Sequence, residues 1–160
     1  MGELYPKKTG ESVVYLDENA TKVFKLKDPY AKRALKRGVE PEDVIYEHLV
    51  HNIFFPETHQ TFEGITEGIE GIRIVLSQLF VPSVHRPSAK QVEQVLARKG
   101  LFRESGYHFG NDYISVTDVE GDNVLLGEDG QVLFIDPIID FKRPVSEILS
   151  LMFNEYKILK

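Results

Sequence analysis

The apolar positions of the chain fall into short runs that predict β-strands along much of its length. β-Branched and aromatic residues at 13–16 and 21–26 flank a polar turn, which is the pattern of a hairpin. Two longer runs, at 61–66 and 71–81, flank a short glycine-containing turn and predict a second antiparallel pair. The first half of the chain is therefore expected to form an antiparallel sheet.

Other segments have the composition or the apolar spacing of helices. A basic stretch at 28–38 ends at a glycine and predicts a short helix. Apolar residues recur at three- and four-residue intervals in 42–54, 88–99 and 145–156, which predicts three amphipathic helices. Ser88 stands at the start of the 88–99 segment, where its hydroxyl can cap the first turn. Strands and helices together predict an α+β protein.

Length and composition limit the kind of protein. A chain of 160 residues, of which 42% are hydrophobic, fits one domain or two small lobes that share one cleft. We place the lobes at about 10–81 and 82–160 within a single domain spanning 1–160. The segment 78–81, which precedes a proline, is the expected hinge between them.

Charge and cysteine content exclude several classes of function. The net charge of −6 disfavours a nucleic-acid-binding surface, which would need a basic face for phosphates. The sequence contains no cysteine, so it has neither a disulfide framework nor a thiolate metal site. The chain has no apolar run of membrane-spanning length, and its first ten residues do not resemble a signal peptide. We therefore expect a soluble cytoplasmic protein that binds neither nucleic acid nor membrane.

The most informative stretch is 114–137, ISVTDVEGDNVLLGEDGQVLFIDP, which predicts three short strands separated by two polar turns. Asp118, Asn123 and Asp136 each stand at the end of an apolar run. A hairpin would gather these three side chains on one edge. In phosphoryl transfer an acid orients and deprotonates the acceptor hydroxyl, while an amide and a second acid hold magnesium. The alternative is a surface hairpin in which these residues only form turns, as Asp and Asn often do.

The spacing D-x-x-x-x-N followed by I-D-P resembles the catalytic and metal loops of the protein-kinase-like superfamily. It is similar to the aminoglycoside-phosphotransferase type and, with GES-VVY, VFKLK, HNIFFPET and QLFV, resembles the small polyvalent-protein kinases of bacterial mobile elements and phages. The resemblance implies a minimal two-lobed fold with an antiparallel N-lobe sheet, an αC-like helix and a truncated C-lobe. It implies ATP and Mg²⁺ as cofactors, Asp118 as catalytic base, and Asn123 and Asp136 as magnesium ligands.

The resemblance also implies roles for residues in the first half of the chain. Lys25 would anchor the phosphates, and Glu47 on the predicted helix 42–54 would pair with it. Gln78 would lie in the gatekeeper region beside the adenine, and Ser12 would stand in the reduced phosphate-binding loop. A lysine on an apolar strand is costly unless it is paired, which suits the role of Lys25. The alternative is an edge strand that its lysines protect from aggregation.

Three functions stay open at this point. The first is an ATP- and magnesium-dependent phosphotransferase whose acceptor is unknown. The second is an inactive pseudokinase that binds nucleotide or a protein partner, because Val116 replaces the histidine of the catalytic loop and no D-F-G glycine follows Asp136. The third is a structural domain that keeps only the fold. The sequence does not specify the oligomeric state.

Overall fold

The structure is a computed structural model, and it describes residues 7–9, 12–30, 42–68, 71–82 and 85–158. The chain divides into two compact units, Met1–Pro82 and Ser83–Lys160. We call them the N-terminal and the C-terminal unit. Over the described ranges, no helix is both long enough and apolar enough to cross a membrane.

The N-terminal unit contains one five-stranded antiparallel sheet with the strand order β1-β2-β3-β5-β4. Its strands are β1 (Lys7–Thr9), β2 (Ser12–Leu16), β3 (Lys22–Lys27), β4 (Gln60–Gly68) and β5 (Gly71–Leu79). Both predicted hairpins are confirmed, since β2 pairs with β3 and β4 pairs with β5. The Asp17 carboxylate closes the first hairpin by accepting hydrogen bonds from the Thr21 and Lys22 amides.

Helix α1 (Asp43–Phe54) confirms the helix predicted at 42–54 and packs on this sheet. Its buried residue Val44 forms a hydrophobic cluster with Ile74 and Leu76 of β5. These two β5 residues alternate along the strand, so they point to the same face of the sheet. The face that carries Ile74 and Leu76 is therefore the face covered by α1.

Polar side chains fix the connection between α1 and β4. The Asn52 carboxamide donates to the Gln60 carbonyl and accepts from the Gln60 amide, both at 2.8 Å. The His51 ring lies 3.0 Å from the Thr58 carbonyl oxygen. Both side chains therefore hydrogen-bond to the backbone of the segment that follows α1.

The C-terminal unit combines two small antiparallel sheets, one with the order β11-β8-β7-β6 and one formed by β10 and β9. Its elements are α2 (Ala89–Arg98), β6 (Phe102–Ser105), β7 (His108–Gly110), β8 (Ile114–Thr117), β9 (Val124–Leu126), β10 (Val132–Phe134), β11 (Ile138–Phe141) and α3 (Val145–Ile158). Helix α2 begins with a capping box, because the Ser88 hydroxyl accepts from the Gln91 amide and the Gln91 side chain accepts from the Ser88 amide.

The α+β fold class is confirmed: within the described ranges there are three α-helices, and every strand pairing is antiparallel. The segment 101–112 contains the hairpin of β6 and β7. One local prediction needs correction. The strand β8 does not belong to the sheet of β9 and β10, because it pairs with β7 and β11. The helix predicted at 28–38 lies largely outside the described residues.

Candidate functional site

Asp118 follows directly on strand β8 and has an unusual backbone conformation. Its φ angle is 57°, in the left-handed region that few residues other than glycine adopt. Thr117, the last residue of β8, lies opposite Ile138 at the start of β11. The chain therefore leaves β8 in a sharp turn at Asp118, whose side chain is exposed.

Asn123 ends a short 3-10 helix, Gly121–Asn123, that follows this turn. Its amide donates to the Glu120 carbonyl at 3.2 Å, and its own carbonyl accepts from the Ile135 amide at 2.8 Å. The next residue, Val124, opens β9 and lies opposite Phe134 of β10. Asn123 and Ile135 therefore extend the β9–β10 ladder by one pair, and Asp136 follows immediately.

The two strand pairings bring the three predicted residues to a common edge. Asp136 lies two residues before Ile138, the first residue of β11, and Asp118 lies one residue after Thr117, the strand partner of Ile138. Asp118 and Asp136 are thus at the same end of the β8–β11 pair, while Asn123 and Asp136 are at the same end of the β9–β10 pair. Two acidic residues and one carboxamide residue therefore follow or precede strands at this edge, and carboxylates and carboxamides are ligand types that Mg²⁺ accepts.

A cavity of about 180 Å³ lies beside the turn that contains Asp118. Its walls come from the start of α2, the β6–β7 turn and the segment after Asp118, and are formed by Arg86, Pro87, Ala89, Val92, Tyr107, Val119, Glu120, Gly121 and Val124. Sequence reasoning did not anticipate this cavity, because its walls are far apart along the chain. A local signal was the Pro87–Ser88 pair at the start of α2.

An ion pair between Arg86 and Asp122 joins the start of α2 to the 3-10 helix. Both side chains are largely exposed, at 63% and 64%, so the pair contributes little to folding stability. It nevertheless places one positive and one negative charge beside the turn of Asp118.

In the N-terminal unit, Lys25 is a buried lysine in the middle of strand β3, with 3% of its surface exposed. Strand β3 pairs with both β2 and β5, so it is an internal strand. The alternative that its lysines protect an edge strand is therefore wrong. Lys25 lies opposite Leu76, and directly opposed residues share a face of the sheet, so Lys25 is on the face covered by α1.

Glu47 lies on α1 and is half-buried. It follows Val44 by three residues, which places the two side chains on the same side of the helix. Since Val44 packs against the sheet, Glu47 is on the side of α1 that faces the sheet surface carrying Lys25. Ser12 is the first residue of β2, and its side chain is outside what the structure describes.

Gln78 is the last buried residue of β5, with 4% of its surface exposed. Its strand partners are Val23 and Gln60. Gln60 is itself buried and hydrogen-bonds through its side chain to His48 of α1. Burial lowers the pKa of His48 from its usual 6.5, and the nearby positive charge of Lys27 acts in the same direction. His48 is therefore neutral at physiological pH.

Sequence reasoning missed Gln60 and the role of His48. Gln60 precedes the run in which the strand was predicted, and a single glutamine at a strand end is usually exposed. The available signal was its position opposite Gln78 once the β4–β5 hairpin is aligned. Gln60 and Gln78 lie opposite each other, so their side chains share one face of the sheet. If a helix covers that face, both side chains are expected to be buried.

Comparison with protein-family models gives one match that covers most of the chain. The model is Kinase-PolyVal, described as "Serine/Threonine/Tyrosine Kinase found in polyvalent proteins", and it matches residues 2–143. No curated protein and no solved structure gives a significant match. The matched span includes both groups of residues described above, those of the N-terminal unit and those at the edge of Asp118, Asn123 and Asp136.

Proposed function

The chain belongs to the serine/threonine/tyrosine kinases found in polyvalent proteins, and on that premise we propose that it transfers a phosphoryl group from ATP, with Mg²⁺, to a hydroxyl acceptor. One observation carries the proposal. The strand pairings of β8 with β11 and of β9 with β10 bring Asp118, Asn123 and Asp136 to one edge. Two acids and an amide at one edge are the residue types that phosphoryl transfer requires.

Asp118 acts as the catalytic base in this proposal. Its exposed carboxylate accepts a hydrogen bond from the acceptor hydroxyl, orients the hydroxyl oxygen toward the phosphorus atom and takes up its proton. The left-handed backbone at Asp118 turns the chain at the end of β8. Because the side chain is exposed, an incoming hydroxyl can reach it.

Asn123 and Asp136 provide the oxygen ligands for Mg²⁺. Magnesium usually keeps several waters and takes only one or two protein carboxylates or amides together with substrate phosphates. Two protein ligands therefore suffice, and the described residues hold no cluster of three or more acids or histidines suited to a metal. When bound, magnesium-ATP supplies the transferable phosphoryl group and neutralises the charge that develops on it.

The N-terminal unit contributes residues for the nucleotide. Lys25 is nearly fully buried, and a buried ammonium group is stable only when anionic or polar groups satisfy it. In the nucleotide complex the Lys25 ammonium would contact phosphate oxygens, and Glu47 on the facing side of α1 would position the lysine. Ser12, at the start of β2, would contribute from the strand that neighbours β3.

A second candidate is a pseudokinase that binds nucleotide without turnover. Val116 occupies the position where the related motif has histidine, and it is fully buried between Phe109 and Ile139 on the neighbouring strands. A valine there cannot donate the hydrogen bonds that a histidine ring makes to the loop backbone. The loop that carries Asp118 therefore lacks the support that the histidine gives in the related motif. This difference favours the pseudokinase.

The deciding experiment uses ATP labelled on the γ-phosphate, Mg²⁺ and a degenerate peptide library that contains serine, threonine and tyrosine. Label transfer to peptide or to the protein itself, lost in Asp118→Asn, supports the phosphotransferase. Magnesium-dependent ATP binding without any transfer supports the pseudokinase. Neither binding nor transfer at millimolar ATP would refute both candidates and leave a domain that keeps only the fold.

A further inference from the structure

The cavity beside the turn of Asp118 has an apolar floor. Three of the residues that line it are buried valines: Val92 of α2, Val119 of the segment after Asp118, and Val124 at the start of β9. Valine side chains offer no hydrogen-bonding group, so a polar atom that reached this floor would lose its bonds to water without compensation. An apolar group would instead gain from leaving water. The floor therefore selects an apolar occupant.

The rim of the cavity is polar and open to solvent. Arg86, Tyr107 and Glu120 line the cavity and are exposed. Arg86 is ion-paired with Asp122, so its charge is already balanced beside the cavity. A floor of buried apolar residues inside a polar rim is the arrangement found where one polypeptide recognises another. It suits a side chain that enters from a backbone that stays in water.

The size of the cavity restricts what can occupy it. Its volume is about 180 Å³. Pockets that enclose a whole small-molecule ligand usually measure about 300 to 1,000 Å³. The cavity is thus too small to enclose a nucleotide, and it fits a single amino-acid side chain such as that of leucine.

The cavity lies next to the residue proposed as the catalytic base. Val119 follows Asp118 directly, and consecutive Cα atoms are about 3.8 Å apart. An extended peptide advances about 3.3 Å per residue. When the acceptor hydroxyl reaches Asp118, side chains within two residues of that hydroxyl along the acceptor are therefore at a distance from which they can enter the cavity.

We propose that this cavity binds an aliphatic side chain of a polypeptide acceptor, located within two residues of the serine, threonine or tyrosine that receives the phosphoryl group. The inference rests on the proposed function and deepens it, because it names a sequence feature of the acceptor. Burial of the aliphatic side chain against Val92, Val119 and Val124 holds the neighbouring hydroxyl beside Asp118. Contacts away from the reacting atoms raise the rate when they orient those atoms.

The test measures kcat/KM for phosphoryl transfer from magnesium-ATP to short peptides with one central serine, threonine or tyrosine. Each of the two positions on either side carries leucine, asparagine or alanine in turn, with alanine at the remaining positions. The wild-type protein is expected to prefer leucine to alanine by about tenfold or more at one or more of these positions. Asparagine, which is similar to leucine in size but polar, should be no better than alanine.

The substitution Ala89→Leu fills the cavity from its rim. Ala89 is the exposed first residue of α2, lines the cavity and stands outside the capping box of Ser88 and Gln91. In this variant the preference for leucine over alanine should fall to about threefold or less. The matched control is Gln94→Leu, which adds the same side chain at an exposed position of α2 that does not line the cavity. It should keep the wild-type preference.

Three outcomes would overturn the inference. If the wild-type protein phosphorylates the peptides without a preference for leucine at any flanking position, no aliphatic side chain is recognised, and this result needs no variant. If Ala89→Leu keeps the full preference, the leucine binds elsewhere. If Ala89→Leu raises KM for ATP by the same factor with every peptide, the cavity serves the nucleotide. Failure of the proposed function is distinguishable, because the wild-type protein would then phosphorylate neither the peptides nor itself, and the inference would fall with it.

Discussion

The backbone amide of Ile135 donates a hydrogen bond of 2.8 Å to the carbonyl oxygen of Asn123. This bond continues the antiparallel ladder that pairs Val124 with Phe134. Because Asp136 follows Ile135 directly, the bond keeps the backbone at Asn123 and the backbone at Asp136 close together in space. Two polar residues separated by thirteen positions are thereby held at one end of a hairpin.

The hairpin geometry predicts that Asp136 is needed for magnesium-dependent nucleotide binding. A ligand that binds only the folded state raises the melting temperature by mass action. Millimolar ATP should stabilise the wild-type protein more in the presence of Mg²⁺ than in its absence. In Asp136→Asn the magnesium-dependent part of the shift should disappear, because an amide is a weaker ligand than a carboxylate for a hard cation.

Asp129 in the β9–β10 turn provides the control for this experiment. Its carboxylate accepts a hydrogen bond from the Gln131 amide and is exposed at the opposite end of the hairpin. Asp129→Asn should therefore keep the magnesium-dependent shift. If Asp136→Asn kept the shift as well, the metal assignment at this edge would be wrong.

Asp118 is predicted to be needed for turnover but not for nucleotide binding. Asparagine tolerates the left-handed backbone found at this position, so Asp118→Asn removes the base without disturbing the turn. The rate of phosphoryl transfer should fall by about 10²- to 10⁴-fold, the usual contribution of a general base. The thermal shift with magnesium-ATP should stay within error of the wild-type value.

The charge at Glu120, two residues further along the turn, tests the specificity of this effect. Its side chain is exposed and borders the cavity beside the turn. Glu120→Gln should retain transfer within about one order of magnitude of the wild-type rate, because it leaves the base in place. If Asp118→Asn and Glu120→Gln lowered the transfer rate by similar factors, the negative charge of the turn would matter for transfer, and Asp118 would not be a specific base.

The positions of the three candidate residues beside strand ends could be predicted because each one borders an apolar run. Local patterns of this kind mark strand ends, so the sequence located Asp118, Asn123 and Asp136 at the ends of β8, β9 and β10. It did not reveal the partners of β8. That strand pairs with β11, which lies beyond Asp136 in the chain, and such non-local pairing is not encoded in alternation alone.

The buried polar row in the N-terminal unit could not be predicted for a related reason. A glutamine in a strand pattern is normally read as solvent-facing, and only the register of β4 against β5 shows that Gln60 and Gln78 are direct neighbours. Register in turn depends on the bulge between Phe62 and Gly64. The helix that covers this face adds His48, and its contribution appears only when α1 is docked.

Lys25 is predicted to contribute strongly to nucleotide affinity. Loss of a charge-assisted contact with phosphate weakens binding by about 10- to 100-fold. Lys25→Met preserves the length of the apolar side chain and should reduce the affinity for magnesium-ATP by this factor in a calorimetric titration. Lys27→Met, two residues along the same face, is the matched control and should change the affinity by less than about threefold. Equal effects in the two variants would show that only the net charge of the strand matters.

His48 is predicted to make folding stability fall at mildly acidic pH. Burial holds its pKa below 6.5, and the charges of His59 and Lys27 lower it further, while the hydrogen bond with Gln60 opposes the shift. The unfolded chain binds a proton near pH 6.5, whereas the folded chain does not until a lower pH. The contribution of His48 to the free energy of unfolding should therefore be constant above pH 6.5. It should decrease as the pH falls below 6.5, because the unfolded chain then binds a proton that the folded chain does not.

Denaturant titrations at several pH values between 7.5 and 5 would give the free energy of unfolding at each pH. The slope of this free energy against pH is the dependence to be measured. His48→Gln can still hydrogen-bond to Gln60 but does not titrate, so the slope below pH 6.5 should become shallower than in the wild type. Substitution of the exposed His108 by glutamine should leave the slope as it is. The prediction would be wrong if His48→Gln and the wild type lost stability in parallel as the pH fell. Protonation of the buried His48 would then not be the origin of the acid sensitivity.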